Sequence, residues 1–281
     1  MELVTIVPAL PARPVEGHKG LFGKVLVVGG NAEMIGAPVL AGTAALHMGA
    51  GLVQIAVPKS ILAASISITP ELIGLGLGQR GKRRLLDAAA KADVLVIGPG
   101  LGQSPAARER LESLCILDKL AVVDADALNL LAERKKWPIS FKLKAVLTPH
   151  PGEMQRLAKL FGQTEVPADE QGRIDIAIKA AQTFGQVILL KGFRTVVTDG
   201  QRVYVNQTGN SSLSKAGTGD VLSGMIGALL GQKMEPFDAA CLGAHLHGRA
   251  GEIAGERLGL RSVLARDVID AIAEAVRERG A

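Results

Sequence analysis

The chain has 281 residues, which is enough for one large α/β domain with a buried core, so we predict a single domain over residues 1–281. Hydrophobic residues make up 48% of it, yet every apolar run is too short or too rich in glycine to cross a bilayer, so we expect no membrane partner. The net charge of +5 comes from scattered basic residues, as at 82–84 and 134–136, without interleaved aromatics, and this pattern argues against nucleic-acid binding.

The N-terminal residues and the two cysteines carry no sign of secretion or of metal binding. Residues 1–4 lack a basic region followed by an apolar stretch and a cleavage site, so a cytoplasmic location is expected. Cys115 and Cys241 are far apart and lack metal-ligand spacing, so we predict two buried, inert thiols rather than a disulfide or a zinc site.

Short, β-branched apolar runs recur along the first two thirds of the chain and predict buried parallel strands. The six runs are 24–28, 53–57, 94–97, 121–123, 145–147 and 187–190. Stretches with a 3.6-residue apolar period lie between these runs and predict helices at 38–48, 106–115 and 174–184. This alternation predicts a parallel sheet covered by helices on both faces.

The last third of the chain follows a different pattern. Two strand-like runs, 195–198 and 202–205, are joined through Asp199-Gly200, a dipeptide suited to a tight hairpin turn. We therefore expect the sheet to end in an antiparallel portion. Helices are predicted at 219–230, 236–258 and 265–277.

The strongest local signal is the sequence Gly217-Thr218-Gly219-Asp220, which an apolar helix follows at once. The two glycines can aim consecutive backbone N–H groups at one point, and the helix dipole adds positive charge there, so the turn predicts an anion site. The Asp220 carboxylate has two interpretations. It caps the helix, or it takes the proton from an attacking hydroxyl while the anion site holds a transferring phosphoryl group.

The 217–220 sequence resembles the anion-hole and catalytic-aspartate motif of the ribokinase-like superfamily, and other segments narrow the resemblance to the nicotinamide-nucleotide-hydrate dehydratases. These segments, in chain order, are 20–57, 96–102, 123–129, 148–153 and 191–195. Asn31 and His47 stand where serine and arginine are expected, and Lys215-Ala216 replaces a glycine-rich approach to the anion hole. The resemblance implies a ribokinase-like three-layer α/β/α sandwich with a mostly parallel central sheet and an antiparallel edge.

Members of this family repair hydrated NADH and NADPH, so the resemblance implies dehydration of the S-epimer back to NADH or NADPH. The reaction uses ADP with Mg²⁺ and yields AMP and phosphate, because phosphorylation turns the ring hydroxyl into a good leaving group. Asp220 is then the catalytic base, and the backbone of Gly217, Thr218 and Gly219 forms the anion hole. The resemblance assigns AMP or ADP contact to Lys191, Gly192, Phe193, Arg194, Thr195 and Gly219. It assigns the hydrated cofactor to Ala37, Gly100, Gly102, His150 and Asp220. Glu153 lies at the substrate site in the family, and Asp124 and Asn129 are further candidate site residues.

Several of these residues also have structural interpretations that the sequence leaves open. Without the resemblance, Lys191 is interpreted as an exposed residue at a strand end. His150, which is held between two prolines, is then interpreted as a hydrogen-bond partner of a neighbouring loop. The alternative role of Glu153 and Asp126 is to cap a helix. The candidate role of Asp124 is to hold Mg²⁺ or water. His245 and His247 point to different faces of one helix, so core or interface packing is expected for both, and no residue is assigned as a certain metal ligand.

The main alternative function is that of an ATP-dependent kinase for a vitamin-precursor alcohol, since the Asp220 motif alone does not separate the two activities. A nucleotide-binding sensor ranks lower because Asp220 is present, and a dehydrogenase is disfavoured because Gly29-Gly30 lacks the GxGxxG pattern. Family habit implies a homotetramer and a companion epimerase. The 281 residues leave no room for that epimerase, so only the dehydratase half is expected.

Overall fold

A computed structural model gives the structure of the chain and describes residues 1–78, 81–134 and 137–280. Lys135 and Lys136, part of the basic run at 134–136, lie outside these ranges. The strands are β1 (Glu2–Val4), β2 (Lys24–Val28), β3 (Leu52–Pro58), β4 (Ile73–Leu77), β5 (Val94–Ile97), β6 (Leu120–Val123), β7 (Lys144–Leu147), β8 (Val187–Leu190), β9 (Val196–Thr198) and β10 (Arg202–Val205). They form one sheet in the order β1-β10-β9-β8-β7-β6-β5-β2-β3-β4.

The strands from β8 across to β4 are all parallel, as the alternating pattern predicts. β9 runs antiparallel to both β8 and β10, which confirms the hairpin through Asp199-Gly200 and the antiparallel portion of the sheet. Gly200 takes a φ of +90°, as the tight turn requires. The N-terminal strand β1 was not predicted; it extends this edge by pairing in parallel with β10.

Helices cover both faces of the sheet. The helices are α1 (Gly36–His47), α2 (Leu62–Ile68), α3 (Gly81–Lys91), α4 (Pro105–Cys115), α5 (Ala125–Ala132), α6 (Trp137–Ser140), α7 (Pro151–Ala158), α8 (Glu170–Phe184), α9 (Thr218–Gly231), α10 (Pro236–Leu258) and α11 (Ala265–Glu278). One core joins α1, α9, α10 and α11 to one face, and a second core joins α3, α4, α5, α7 and α8 to the other. The predicted three-layer α/β/α arrangement is confirmed.

The two cysteines and the apolar character of the helices can also be described. Cys115 and Cys241 are free and buried, as predicted, and burial raises the pKa of the Cys115 thiol to about 12, so it stays protonated. Within the described ranges, no helix combines the length and the apolar character that a bilayer span requires.

Helix α9 lies against α1 at very close range. A Cβ added at Gly224 of α9 would meet the backbone oxygen of Ala41 in α1 at 1.9 Å, so only glycine allows this approach. Since Asp220 begins α9, this contact helps to fix where Asp220 lies relative to the sheet.

Gly224→Ala is therefore expected to destabilise the protein by about 1–3 kcal/mol or more, because the two backbones must separate to admit the methyl group. Gly36→Ala is the matched control, since a Cβ there meets no atom within 4 Å. Urea unfolding of both variants measures the difference, and equal midpoints would show that the α1–α9 contact is not tight.

Candidate active site

The turn at the start of α9 presents free N–H groups. Gly217 takes a φ of +92° at the N-cap, and the Thr218 hydroxyl donates to the backbone oxygens of Leu213 (2.8 Å) and Lys215 (2.9 Å). The first N–H groups of a helix have no partner within it, and among the described turns and loops no carbonyl accepts from Gly219 or Asp220. The Thr218 N–H, in contrast, lies 3.5 Å from the Lys215 oxygen. This geometry supports the predicted anion site with Gly219 and Asp220 as its open donors.

Lys191 follows β8 and places its ammonium beside this turn. Its Nζ donates to Asp124 Oδ1 at 2.8 Å and lies 3.8 Å from Glu153 Oε2. A Cβ at Gly219 would lie 3.4 Å from the same Nζ, so the absence of a side chain there leaves space next to the charge. The alternative prediction of an exposed lysine at the strand end is wrong, because only 19% of the Lys191 side chain is exposed.

Asp124 connects Lys191 to α9. It is buried at the end of β6, and its Oδ2 accepts a 2.6 Å hydrogen bond from the hydroxyl of Ser223, one helical turn after Asp220. Asp124 also occupies the N-cap position of α5, so Asp126 is not the N-cap that the sequence suggested. Instead, Asp126 Oδ2 accepts from the Gly102 N–H at 2.8 Å and ties the loop after β5 to α5.

Burial and mutual repulsion change the acidity of this cluster. Burial, followed by the nearby Asp124 carboxylate, raises the pKa of Asp220 to about 7, while Lys191 acts in the opposite direction. Burial likewise raises the pKa of Glu153 to about 7. Burial alone would lower the pKa of Lys191, but Asp124 and Glu153 outweigh it and raise that pKa, so the lysine stays charged. A carboxyl group with a pKa near 7 suits general base catalysis at neutral pH.

His150 and Glu153 form a capping box at the start of α7. The backbone N–H of His150 donates to Glu153 Oε2 at 2.8 Å, and His150 Nδ1 accepts from the Gly152 N–H at 3.0 Å. The capping interpretation of Glu153 is therefore confirmed, although the same carboxylate also faces Lys191. Burial and the charge of Lys191 lower the pKa of His150, so its ring is neutral at pH 7 and remains half-exposed beside the cluster.

The loops after β2 and β5 meet where the strand order reverses. The Gly30 N–H donates to the Pro99 oxygen at 2.9 Å, and Asn31 Nδ2 donates to the Gly100 oxygen at 3.0 Å. A Cβ at Gly100, where φ is +60°, would lie 3.0 Å from the Cβ of Ala37. The structure therefore brings together Ala37 and Gly100, two residues that the resemblance assigns to one ligand.

A cavity of about 330 Å³ lies on the β8–β9 side of the cluster. The whole loop 191–195 lines it together with Thr218 and Gly219, so the predicted nucleotide residues share one space. Arg173 holds this loop by donating to the backbone oxygens of Phe193 (2.5 Å) and Leu190 (3.3 Å). The Phe193 ring itself is 80% exposed.

The same cavity includes residues that the sequence reasoning missed. They are Asn206, Thr208, Gly209, Asn210, Ser211, Leu213, Ser214, Leu222, Ala244, His247 and Gly248. His247 is buried, as expected for a core position, yet it lines this cavity, and its Nε2 has no hydrogen-bond partner among the residues that the structure describes. Burial lowers its pKa to about 4, which keeps the ring neutral. The mostly polar run 210–214, which leads into the turn at 217–220, is the sequence signal that could have located this wall.

Not every predicted residue lies in this cavity. Ala37, Gly100, Gly102 and His150 are not among its lining residues. Gly102 and His150 instead donate to Asp126 and Glu153, two carboxylates whose charges act on Asp220. Asn129 lies in a separate cleft, where its Oδ1 accepts from Arg156 at 3.0 Å. The site therefore has a nucleotide-sized cavity and, outside it, loops that Asp126 and Glu153 link to Asp220.

Comparison with known proteins agrees with this geometry. A family model described as NAD(P)H-hydrate dehydratase matches residues 25–274, which include every element of the site. The chain belongs to the NAD(P)H-hydrate dehydratase family.

Family relatives differ in their own length. A bifunctional NAD(P)H-hydrate repair enzyme of Moorella thermoacetica is 45% identical over 272 residues, which is 93% of this chain and 50% of that protein. An ADP-dependent (S)-NAD(P)H-hydrate dehydratase of Neisseria meningitidis is 39% identical over 277 residues, 95% of this chain and 89% of that protein. The chain thus spans about half the length of the bifunctional dehydratase-family relatives.

Solved structures confirm the ribokinase-like fold. An ADP/ATP-dependent NAD(P)H-hydrate dehydratase of Bacillus subtilis, co-crystallised with ATP and Mg²⁺, superposes with a TM-score of 0.83 at 30% identity, covering 96% of this chain and 95% of that one. A ribokinase-like superfamily protein of Enterococcus faecalis gives a TM-score of 0.82 at 25% identity, over 96% and 92% of the two chains.

The raised pKa of Asp220 predicts a pH-dependent cost to stability in this dehydratase-family site. The unfolded carboxyl titrates near its ordinary 3.8, whereas the folded one keeps its proton up to about 7. The stability that the protonated Asp220 contributes is therefore fully present at pH values below the unfolded pKa, and it is lost as the pH rises through 7.

Asp220→Asn is therefore expected to match the wild type most closely at about pH 4, and to exceed its free energy of unfolding by on the order of a few kcal/mol at about pH 8. Urea unfolding without nucleotide or metal at both pH values tests this. Equal stability of the two proteins at the higher pH would mean that Asp220 ionises without penalty.

Proposed function

We propose that this protein dehydrates the S-epimer of hydrated NADH and NADPH to NADH and NADPH at the expense of ADP, with AMP and phosphate as the other products. The observation that carries the proposal is the position of Asp220. This carboxyl group, with its pKa near 7, directly follows Gly219, which lines the nucleotide-sized cavity. It also interacts electrostatically with Asp126 and Glu153, which accept hydrogen bonds from Gly102 and His150. A group there can receive a proton from one ligand while the neighbouring N–H donors hold the phosphate of another.

The first half of the proposed reaction is a phosphoryl transfer. The ring hydroxyl oxygen of the hydrate attacks the terminal phosphorus of ADP, its proton passes to Asp220, and the bond from that phosphorus to the bridging oxygen breaks to release AMP. The N–H groups of Gly219 and Asp220 and the ammonium of Lys191 surround the place where charge develops on the phosphoryl oxygens. Because Asp124 and Glu153 hold the Lys191 ammonium in place before the nucleotide binds, the charges around the phosphoryl group need little reorganisation during the transfer.

The second half is an elimination. The carbon–oxygen bond to the new phosphate ester breaks, and phosphate leaves with the electron pair. Loss of a proton from the adjacent ring carbon then forms the double bond of the reduced nicotinamide. Phosphate carries away the former hydroxyl oxygen, so the net change is removal of water from the hydrate and cleavage of ADP to AMP.

Mg²⁺ would neutralise the phosphate oxygens of the nucleotide. Among the described residues, no three acidic, histidine or cysteine side chains are grouped to hold a metal by themselves. This donor set fits Mg²⁺ nevertheless, since that ion binds mainly through phosphates and water with one or two carboxylates. Asp124 and Glu153, both already hydrogen-bonded, would hold it through its water ligands.

The remaining assignments belong to the same proposal. The nucleotide would contact 191–195 and Gly219, and the hydrate would contact Ala37, Gly100, Gly102, His150 and Asp220. We treat residues 1–281 as one dehydratase domain located in the cytoplasm. We also propose that the protein assembles as a homotetramer and acts together with an NAD(P)H-hydrate epimerase. Relatives that are named as bifunctional repair enzymes support such a companion.

The direct test mixes purified protein with enzymatically hydrated NADH, Mg²⁺ and either ADP or ATP, and follows nicotinamide absorbance and phosphate release together. Recovery of the reduced nicotinamide signal with one phosphate per molecule is expected with ADP. Phosphorylation of a vitamin-precursor alcohol by ATP, without recovery of the signal, would instead favour the kinase alternative.

Asp220→Asn is expected to lower the turnover number by about 10²- to 10⁴-fold, because the side chain keeps its shape but no longer accepts a proton. Nucleotide affinity, measured by calorimetry, should change little. Asp118→Asn is the matched control, since that exposed aspartate pairs with Lys144 at the amino ends of β6 and β7, away from the carboxyl ends that carry the site. Turnover near that of the wild type in Asp220→Asn would remove Asp220 from its proposed role.

A further inference from the structure

A second cleft of about 390 Å³ opens between α5 and α7. Its described lining residues are Gln103, Asn129, Ala132, Glu133, Arg156 and Lys159. We call it the α5–α7 cleft. It shares no residue with the nucleotide-sized cavity, and the proposed reaction assigns it no part.

The α5–α7 cleft carries an excess of positive charge. Its one carboxylate, Glu133, is paired with Arg108 outside the lining. Within the described part of the chain, neither Arg156 nor Lys159 has a carboxylate at ion-pair distance. Arg156 is nevertheless oriented, because its Nη1 donates to Asn129 Oδ1 at 3.0 Å and to the Gly152 oxygen at 3.4 Å. The other guanidinium nitrogens remain available to a ligand.

This cleft begins next to the carboxylate cluster. Helix α7 carries Glu153, 3.8 Å from the Lys191 ammonium, and Arg156 lies about one 5.4 Å turn further along it. Gln103 directly follows Gly102, whose N–H is tied to Asp126. The charge of Arg156 acts on both His150 and Glu153. A ligand whose reactive ring lies at Asp220, beside these residues, can therefore extend into the α5–α7 cleft.

We propose that the α5–α7 cleft binds a phosphate group of the dinucleotide substrate through Arg156 and Lys159. This inference rests on the proposed function. A planar guanidinium and a mobile ammonium are the side chains that recognise phosphate oxygens, and Asn129 acts by orienting Arg156. Two phosphate sources exist in the substrate. The pyrophosphate is one ribose away from the nicotinamide ring in both hydrates, whereas the 2′-phosphate is present only in hydrated NADPH.

The test compares Arg156→Gln, Lys159→Gln and the double variant in steady-state kinetics with hydrated NADH and with hydrated NADPH. Loss of charge-assisted hydrogen bonds predicts a rise of about tenfold in KM for the hydrate in the double variant. The kcat and the KM for ADP are expected to stay within about twofold, because the cleft is separate from Asp220 and from the nucleotide cavity. Lys24→Gln is the control, an exposed lysine at the amino end of β2.

The pattern across the two substrates identifies the phosphate. An equal rise in KM for both hydrates assigns the pyrophosphate to the cleft, and a rise confined to hydrated NADPH assigns the 2′-phosphate. An unchanged KM for both hydrates, or an equal rise in the KM for ADP, would overturn the inference. Turnover of the wild type separates the two possible failures. No turnover with the hydrates would contradict the proposed function itself. An active wild type together with an unchanged KM in the variants would contradict only the proposed role of the α5–α7 cleft.

Discussion

The site depends on one buried cation shared among several carboxylates. Lys191 donates to Asp124 at 2.8 Å and faces Glu153 at 3.8 Å, and its charge also acts on Asp220. Removing any partner would leave a buried charge without compensation, which is costly in a protein interior. Burial raises the pKa values of Asp220 and Glu153 to about 7, and one positive charge shared among three carboxyl groups does not offset this effect. Burial, together with repulsion between the carboxyl groups, makes a base available at neutral pH.

Sheet topology explains why these groups meet. Asp124, Glu153 and Lys191 follow β6, β7 and β8, which are neighbouring parallel strands, so their carboxyl ends lie side by side. Helix α9 crosses the same end because Gly224 lets it approach α1 closely. The nucleotide-sized cavity and the α5–α7 cleft share no lining residue. Such an arrangement suits a reaction between two large, phosphate-bearing ligands.

Much of the fold was predictable because buried strands have a strong local signature, as at Lys24–Val28 and Val187–Leu190. β1 and β4 were missed because short edge strands such as Glu2–Val4 and the glycine-rich Ile73–Leu77 lack that signature. In the site, motif resemblance located Asp220 and the 191–195 loop. It did not reveal that Asp124 pairs with Lys191, or that His247 reaches the cavity from α10, because such contacts arise only when distant segments pack together.

The most direct test of this account is a carbon NMR titration of the Asp220 carboxyl group in the protein without nucleotide or metal, compared with Asp124→Asn. The account predicts a pKa near 7 in the wild type and a lower value in the variant, because the variant removes a repelling charge and leaves Lys191 freer to interact with Asp220. A wild-type pKa close to the ordinary 3.8 of aspartate would contradict the claim that the cluster makes Asp220 a base for neutral pH.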